Sequence, residues 1–166
     1  MTPAHRRYIL VETMISVIIN TVISIGFVFL ACGGQDRVAV AALIPDAIPQ
    51  SFMIGLMSTV VATLLTRRRV RAGAIAAMSR TFPRLLGSLP VRALVAALAA
   101  TLAGLATHFV VLTTLAPDGL SLGATFAFKA IFGAILAAIV TPPMLIMALS
   151  DQDSSHGPPS PPRVEL

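Results

Sequence analysis

Four polar side chains recur at every fourth residue near the start of this chain: Glu12, Ser16, Asn20 and Ser24. On a helix that spacing sets them along one stripe. A carboxylate followed by a hydroxyl, an amide and a second hydroxyl has the groups to hold a proton or cation at Glu12 and pass it along. The same stripe suits interhelical hydrogen bonding, with Asn20 bonded to a neighbouring helix and Glu12 paired with an arginine. Arg92 lies at the matching depth of a later apolar segment and is the expected partner of Glu12. On the sequence both readings stand.

Two further groups carry chemistry. His108 has a ring that titrates near neutral pH, although a packing histidine with a hydrogen-bonded, neutral ring is the plainer expectation. Lys129 has an ammonium that can snorkel or meet Asp46 or Asp118. A cavity shared by His108 and Lys129 would make an anion site. The single cysteine, Cys32, excludes an intrachain disulfide and a multi-cysteine metal site. No Ser–His–Asp set, paired carboxylates or nucleotide loop is discernible, so no enzymatic activity, metal or cofactor is expected.

The elements that must position these groups are membrane spans. Of the 166 residues 56% are hydrophobic and 11% charged, against about 25% charged in an ordinary soluble domain. The apolar residues gather in four runs, at about 8–31, 48–66, 91–115 and 122–149. The first, at ~1.5 Å per residue, reaches roughly 36 Å and so crosses a ~30 Å hydrocarbon core. Backbone groups in lipid must be paired within a helix or a closed barrel, and these runs lack strand alternation. The expected fold is all-α, an antiparallel bundle of four transmembrane helices.

Basic residues alternate between the ends of these runs. Arg6 and Arg7 precede the first; Arg67, Arg68, Arg69, Arg71, Arg80 and Arg84 follow the second; the loops after the first and third hold Arg37 and no base, respectively. An excess of Arg and Lys marks cytoplasmic loops, so both termini and the 67–90 loop are expected in the cytoplasm. Eleven Arg against one Lys, with abundant Ala, suggest a GC-rich bacterial genome and hence a bacterial inner membrane. The net charge of +5 does not imply nucleic acid, because the arginines flank apolar runs; their expected partners are anionic headgroups.

Phe29 to Gly33 resembles a lipoprotein cleavage box, but the preceding apolar stretch is long and interrupted by Glu12 and Asn20, so an uncleaved first helix is expected. In the basic loop Ile75, Met78, Phe82, Leu85, Leu86 and Leu89 share one arc of a helical wheel. That fits an interfacial helix split by Pro83, and a flexible loop fits equally. The Pro-rich segment 150–166 is expected to be a disordered tail. Pro142 and Pro143 are expected to kink or end the fourth helix.

The two halves match faintly at an offset of 78–80 residues. Ser51, Gly55, Thr59 and Thr63 correspond to Lys129, Gly133, Ala137 and Thr141, while Ser16, Asn20 and Ser24 correspond to Ala96, Ala100 and Gly104. Pro45-Asp46 and Pro117-Asp118 are expected in equivalent outer loops. This implies a parallel repeat of a helical hairpin. The spaced Ser16, Asn20 and Ser24, with a second helix that opens Pro49-Gln50-Ser51-Phe52-Met53 and ends Arg67-Arg68-Arg69, resemble small uncharacterised bacterial inner-membrane proteins built on a two-helix hairpin. That resemblance implies topology and no activity. Four helices with a glutamate in the first are also similar to small multidrug transporters, but the chain has no Trp, one Tyr and a long basic central loop.

Ala96, Ala100 and Gly104, with Gly55 and Gly133, let helices approach closely. The function expected first is therefore a non-enzymatic membrane protein that associates with itself or a membrane partner through these faces. The alternative is a small permease using Glu12 and Asn20 as its polar path.

Overall fold

The computed structural model describes residues 1–78 and 88–151. It contains four long helices: α1 (Pro3–Cys32), α2 (Val40–Arg71), α3 (Leu89–Leu115) and α4 (Leu122–Ser150). Two-residue strands, β1 (Arg37–Val38) and β2 (Leu120–Ser121), precede α2 and α4. Every helix is long and apolar enough to cross a membrane. The chain is an all-α, multi-pass membrane bundle.

Its burial is inverted relative to a water-soluble protein. The buried positions of α1 include Glu12, Asn20 and Ser24, and those of α2 include Gln50, Ser51, Thr59 and Thr63. Large apolar side chains such as Leu10, Ile18, Val22 and Phe29 point outward. In hydrocarbon the outward face needs only apolar surface, whereas polar groups must find partners inside.

Two of the helices, α1 and α2, outrun their apolar runs by several residues. Thr2 caps α1: its hydroxyl accepts from the His5 backbone N–H, and the His5 ring returns to the Thr2 backbone N–H. This reciprocal cap starts the helix at Pro3 rather than Tyr8. Helix α2 begins eight residues before position 48, so Pro45 and Asp46 are helical and not in an outer loop. Pro45 and Pro49 leave the carbonyls four residues earlier without helical donors, and burial of Leu43, Ala47 and Gln50 holds the helix across them. Pro142 and Pro143 likewise do not end α4, which continues to Ser150 with Leu145, Ala148 and Leu149 fully buried.

Packing exchanges the two halves. Helix α1 packs along α4, α3 packs along α2, and α2 meets α4 at the centre, while α1 scarcely touches α2 and α3 scarcely touches α4. Gly55 faces Ala96 and Ala100, and Gly133 faces Asn20 and Ser24. Gly55 and Gly133 correspond at the repeat offset, as do Ala100 and Asn20 opposite them. The strands pair antiparallel, Arg37 with Ser121 and Val38 with Leu120. Gly119 enters that pair at φ +87°, where a Cβ would meet the Val38 carbonyl, so glycine is needed there.

After α2 the chain turns at Gly73, and residues 76–78 are not helical. Ile75 and Met78 pack against Ile9, Ala62, Leu145 and Leu149, and the Met78 N–H donates to the Leu149 carbonyl at 3.0 Å. They close the basic end of the bundle instead of starting an interfacial helix. The remainder of that expected helix, with Arg80 and Arg84, and the tail beyond Asp151 lie outside the described residues.

Candidate functional site

Because α1 and α2 diverge, a cleft of about 110 Å³ opens between them with α4 as its floor. Glu12, Ser16, Asn20, Ser58 and Thr141 supply its polar surface, and Ile15, Ile19, Val61 and Leu65 form apolar rims. The Glu12–Asn20 stripe thus faces one cavity. A further cavity of about 60 Å³ shares Asn20, Ile23 and Met57 with it and reaches Ser24 and Gln50. At ~30 Å³ per liquid water the larger cleft has room for a few solvent molecules.

Each end of this seam holds an acid with a cation on it. At the basic end Glu12 is buried and accepts from the Arg69 guanidinium, which also lies over the Tyr8 ring at 5.3 Å from its centroid. Tyr8 in turn hydrogen-bonds Thr66 at 2.9 Å. At the strand end Lys129 Nζ donates to Asp46 Oδ2 at 2.6 Å and to Gln50 Oε1 at 2.9 Å. Gln50 Nε2 donates to Ser24 Oγ at 2.9 Å. A connected series therefore runs Ser24, Gln50, Lys129, Asp46. The two cations differ in freedom: Arg69 is 44% exposed, whereas Lys129 is 1% exposed.

The middle of the seam is hydrogen-bonded but uncharged. Asn20 donates to the carbonyl and hydroxyl of Ser16, one turn earlier in its own helix. It does not bond a neighbouring helix as the interhelical reading expects; the residue-to-residue link there is Thr141 to Ser16 at 2.8 Å.

The expected ion pair of Glu12 with Arg92 is not formed. Arg92 on α3 donates to Asp151 Oδ2 at 3.0 Å and to Thr63 at 3.0 Å, and Arg67 also reaches Asp151 at 2.9 Å. The reason is lateral position. Helix α3 lies on the far side of α2 from α1, so equal depth does not bring the two side chains together. Each hairpin is instead clasped at the basic end by its own pair, Glu12–Arg69 and Arg92–Asp151, with the charges reversed.

His108 is fully buried and stands outside the cleft. Its Nδ1 bonds the Gly104 carbonyl at 2.9 Å, and its ring meets Phe128 and Phe132 edge-on. His108 Nε2 and Ser51 Oγ have no protein partner. Neither His108 nor Lys129 lines the α1–α2 cleft, the cavity beside it or the α3–α4 cleft. The corresponding cleft between α3 and α4, about 220 Å³, is walled by Phe128, Ile131, Phe132, Ile135 and Ile139 and carries no charge. The α1–α2 cleft has a carboxyl, an amide and hydroxyls in its lining, whereas the α3–α4 cleft has only the Thr107 hydroxyl.

Of the two acids expected for Lys129, the structure gives it Asp46, in α2 rather than an outer loop; sequence reasoning missed Gln50 and His5, whose Nε2 donates to the Ala76 carbonyl at 2.9 Å. Gln50, an amide inside the second apolar run, was the available signal. The small residues Ala96, Ala100, Gly104, Gly55 and Gly133 all lie at contacts within the bundle. Arg68, Arg69 and Arg71 form the basic last turn of α2, with Arg67 just before it. Comparison with family models, characterised proteins and solved structures yields no match.

Proposed function

We propose that this protein is a small non-enzymatic membrane carrier that moves protons along the seam between α1 and α2. One observation carries the reading: Glu12, Ser16, Asn20 and Thr141 line one cleft, Asn20 is shared with a neighbouring cavity that reaches Ser24 and Gln50, and hydrogen bonds link these to Lys129 and Asp46. Association through small-residue faces has less support, because those residues are already occupied by neighbouring helices of the same chain.

The arginine distribution makes the basic end cytoplasmic in this reading. Arg69 is half-exposed and can leave Glu12 for headgroups or water, after which the Glu12 carboxylate accepts a proton from the cytoplasm. Hydroxyls and the few waters the cleft has room for carry the proton past Asn20. At the far end the Lys129 ammonium gives a proton to the Asp46 carboxylate and takes another from the cleft, so charge is conserved at each transfer. No metal is needed, and the direction follows the proton gradient.

Purified protein in vesicles carrying an internal pH dye, driven by a potassium diffusion potential, tests this. Wild-type protein should acidify or alkalinise the lumen above the protein-free rate. Glu12→Gln should lower that flux by roughly a hundredfold, the lower range for loss of a positioned proton-transfer group. Equal flux in the two proteins would remove Glu12 from the path and the reading with it.

A further inference from the structure

The strand end of the seam has the composition of a cation site that is already filled. Asp46 Oδ2 and Gln50 Oε1 converge on one point, and Ser24 Oγ lies one hydrogen bond farther along. The group at that point is the ammonium of Lys129, held at 2.6 and 2.9 Å. We infer that Lys129 is a tethered cation that occupies a monovalent-cation site and so sets the selectivity of the seam. The inference rests on the carrier reading for its role in transport, but the occupied site itself does not depend on it.

The chemistry separates the ions. A proton needs no vacancy, because the ammonium can release one proton to Asp46 and gain another. A sodium or potassium ion needs the oxygens themselves, and these are engaged. Lys129 cannot easily swing aside, since it is 1% exposed and breaking its bonds to Asp46 and Gln50 would strand a buried charge. The contrast with Arg69 follows from exposure: one end of the seam opens by a side-chain movement and the other does not. The repeat provides an internal control. The position corresponding to Lys129 is Ser51, which brings no charge and faces Gly104. Nothing there draws a cation, and the adjoining cleft is apolar.

Lys129→Met removes the ammonium and keeps the apolar stem, leaving Asp46 and Gln50 facing an empty point. In detergent this variant should unfold about tenfold more slowly in sodium, potassium or methylammonium chloride than in choline chloride, as expected for a ligand at about ten times its dissociation constant. Wild type should show no such difference. The double variant Asp46→Asn, Lys129→Met should lose it, because the carboxylate is gone. In vesicles Lys129→Met should gain rubidium flux that wild type lacks.

A folded Lys129→Met protein indifferent to the cation overturns the inference. So does one that fails to fold in every salt while the uncharged double variant folds, because a filled site should restore the pair. Should the double variant fail as well, wild-type protein that admits rubidium overturns it, and exclusion of rubidium alongside proton flux supports it. Cation-dependent stability in Lys129→Met without proton flux in wild type would retain the filled site and discard the carrier. Proton flux in wild type without any cation effect would do the reverse.

Discussion

Arg69 and Arg92 both serve acids at the basic end of the bundle, yet their surroundings differ. Arg92 is 1% exposed and donates to Asp151 and Thr63, whereas Arg69 is 44% exposed and lies over Tyr8. Removing one member of a buried pair costs about 3–5 kcal/mol, while an exposed pair contributes about 0–1 kcal/mol. Arg92→Leu should therefore destabilise the protein by about 3 kcal/mol, the lower end because Asp151 keeps Arg67. Arg69→Leu should cost less, about 1–2 kcal/mol, since water can take the place of the half-exposed guanidinium beside the buried Glu12. Denaturation in mixed micelles measures both, and equal losses would show that exposure does not govern these pairs. The polar stripe Glu12–Ser24 was legible because a period of four is a property of one helix. The partner of Glu12 was not, because sequence gives the depth of a residue along its span but not the lateral neighbour.

Helices meet here through small residues at two matching crossings. A Cβ at Gly55 would stand 2.8 Å from the Ala96 carbonyl oxygen and from the Ala97 Cα, which are backbone atoms and cannot yield alone. Gly26 has no atom within 4 Å of such a Cβ. Gly55→Ala should force α2 from α3 and cost about 1–3 kcal/mol, as overpacking does. Gly26→Ala should be neutral or stabilising by up to about 1 kcal/mol, because alanine is the better helix residue. Unfolding of both variants in the same detergent tests the contrast; a neutral Gly55→Ala would mean the crossing is loose. Small-residue spacing revealed that close crossings exist. It could not reveal that they lie within one chain. The starts of α1 and α2 were also hidden, the first by a cap formed from Thr2 and His5, the second by two prolines that burial overrides.

At the scale of the molecule, each hairpin is assembled against the other. The two helices within each hairpin diverge and leave clefts, while helices from opposite halves pack. The strands tie the halves together at the end away from the arginine-rich turn of α2, with Arg37 opposite Ser121. Paired residues in antiparallel strands have Cα separations of about 4.5–5.5 Å, within the range a disulfide spans. Arg37→Cys with Ser121→Cys, in a Cys32→Ser background, should form an intrachain disulfide on export to an oxidising periplasm. A shift in non-reducing electrophoresis reads it. Free thiols in the folded protein would contradict either the strand pairing or the proposed orientation.

The sequence by itself determined four spans, their helical nature and the polar stripe of α1, because hydrophobic length and period are local and lipid admits few alternatives. Faint correspondence between the halves was also readable, since a repeat is a relation within the sequence. Only the tertiary structure decided that α1 lies on α4, that Glu12 meets Arg69, and that Asp46, Gln50 and Lys129 join Ser24 in one series. Those are relations between helices distant in the chain. In lipid they are set by the fit of side chains and by the partners polar groups find, which no single span encodes.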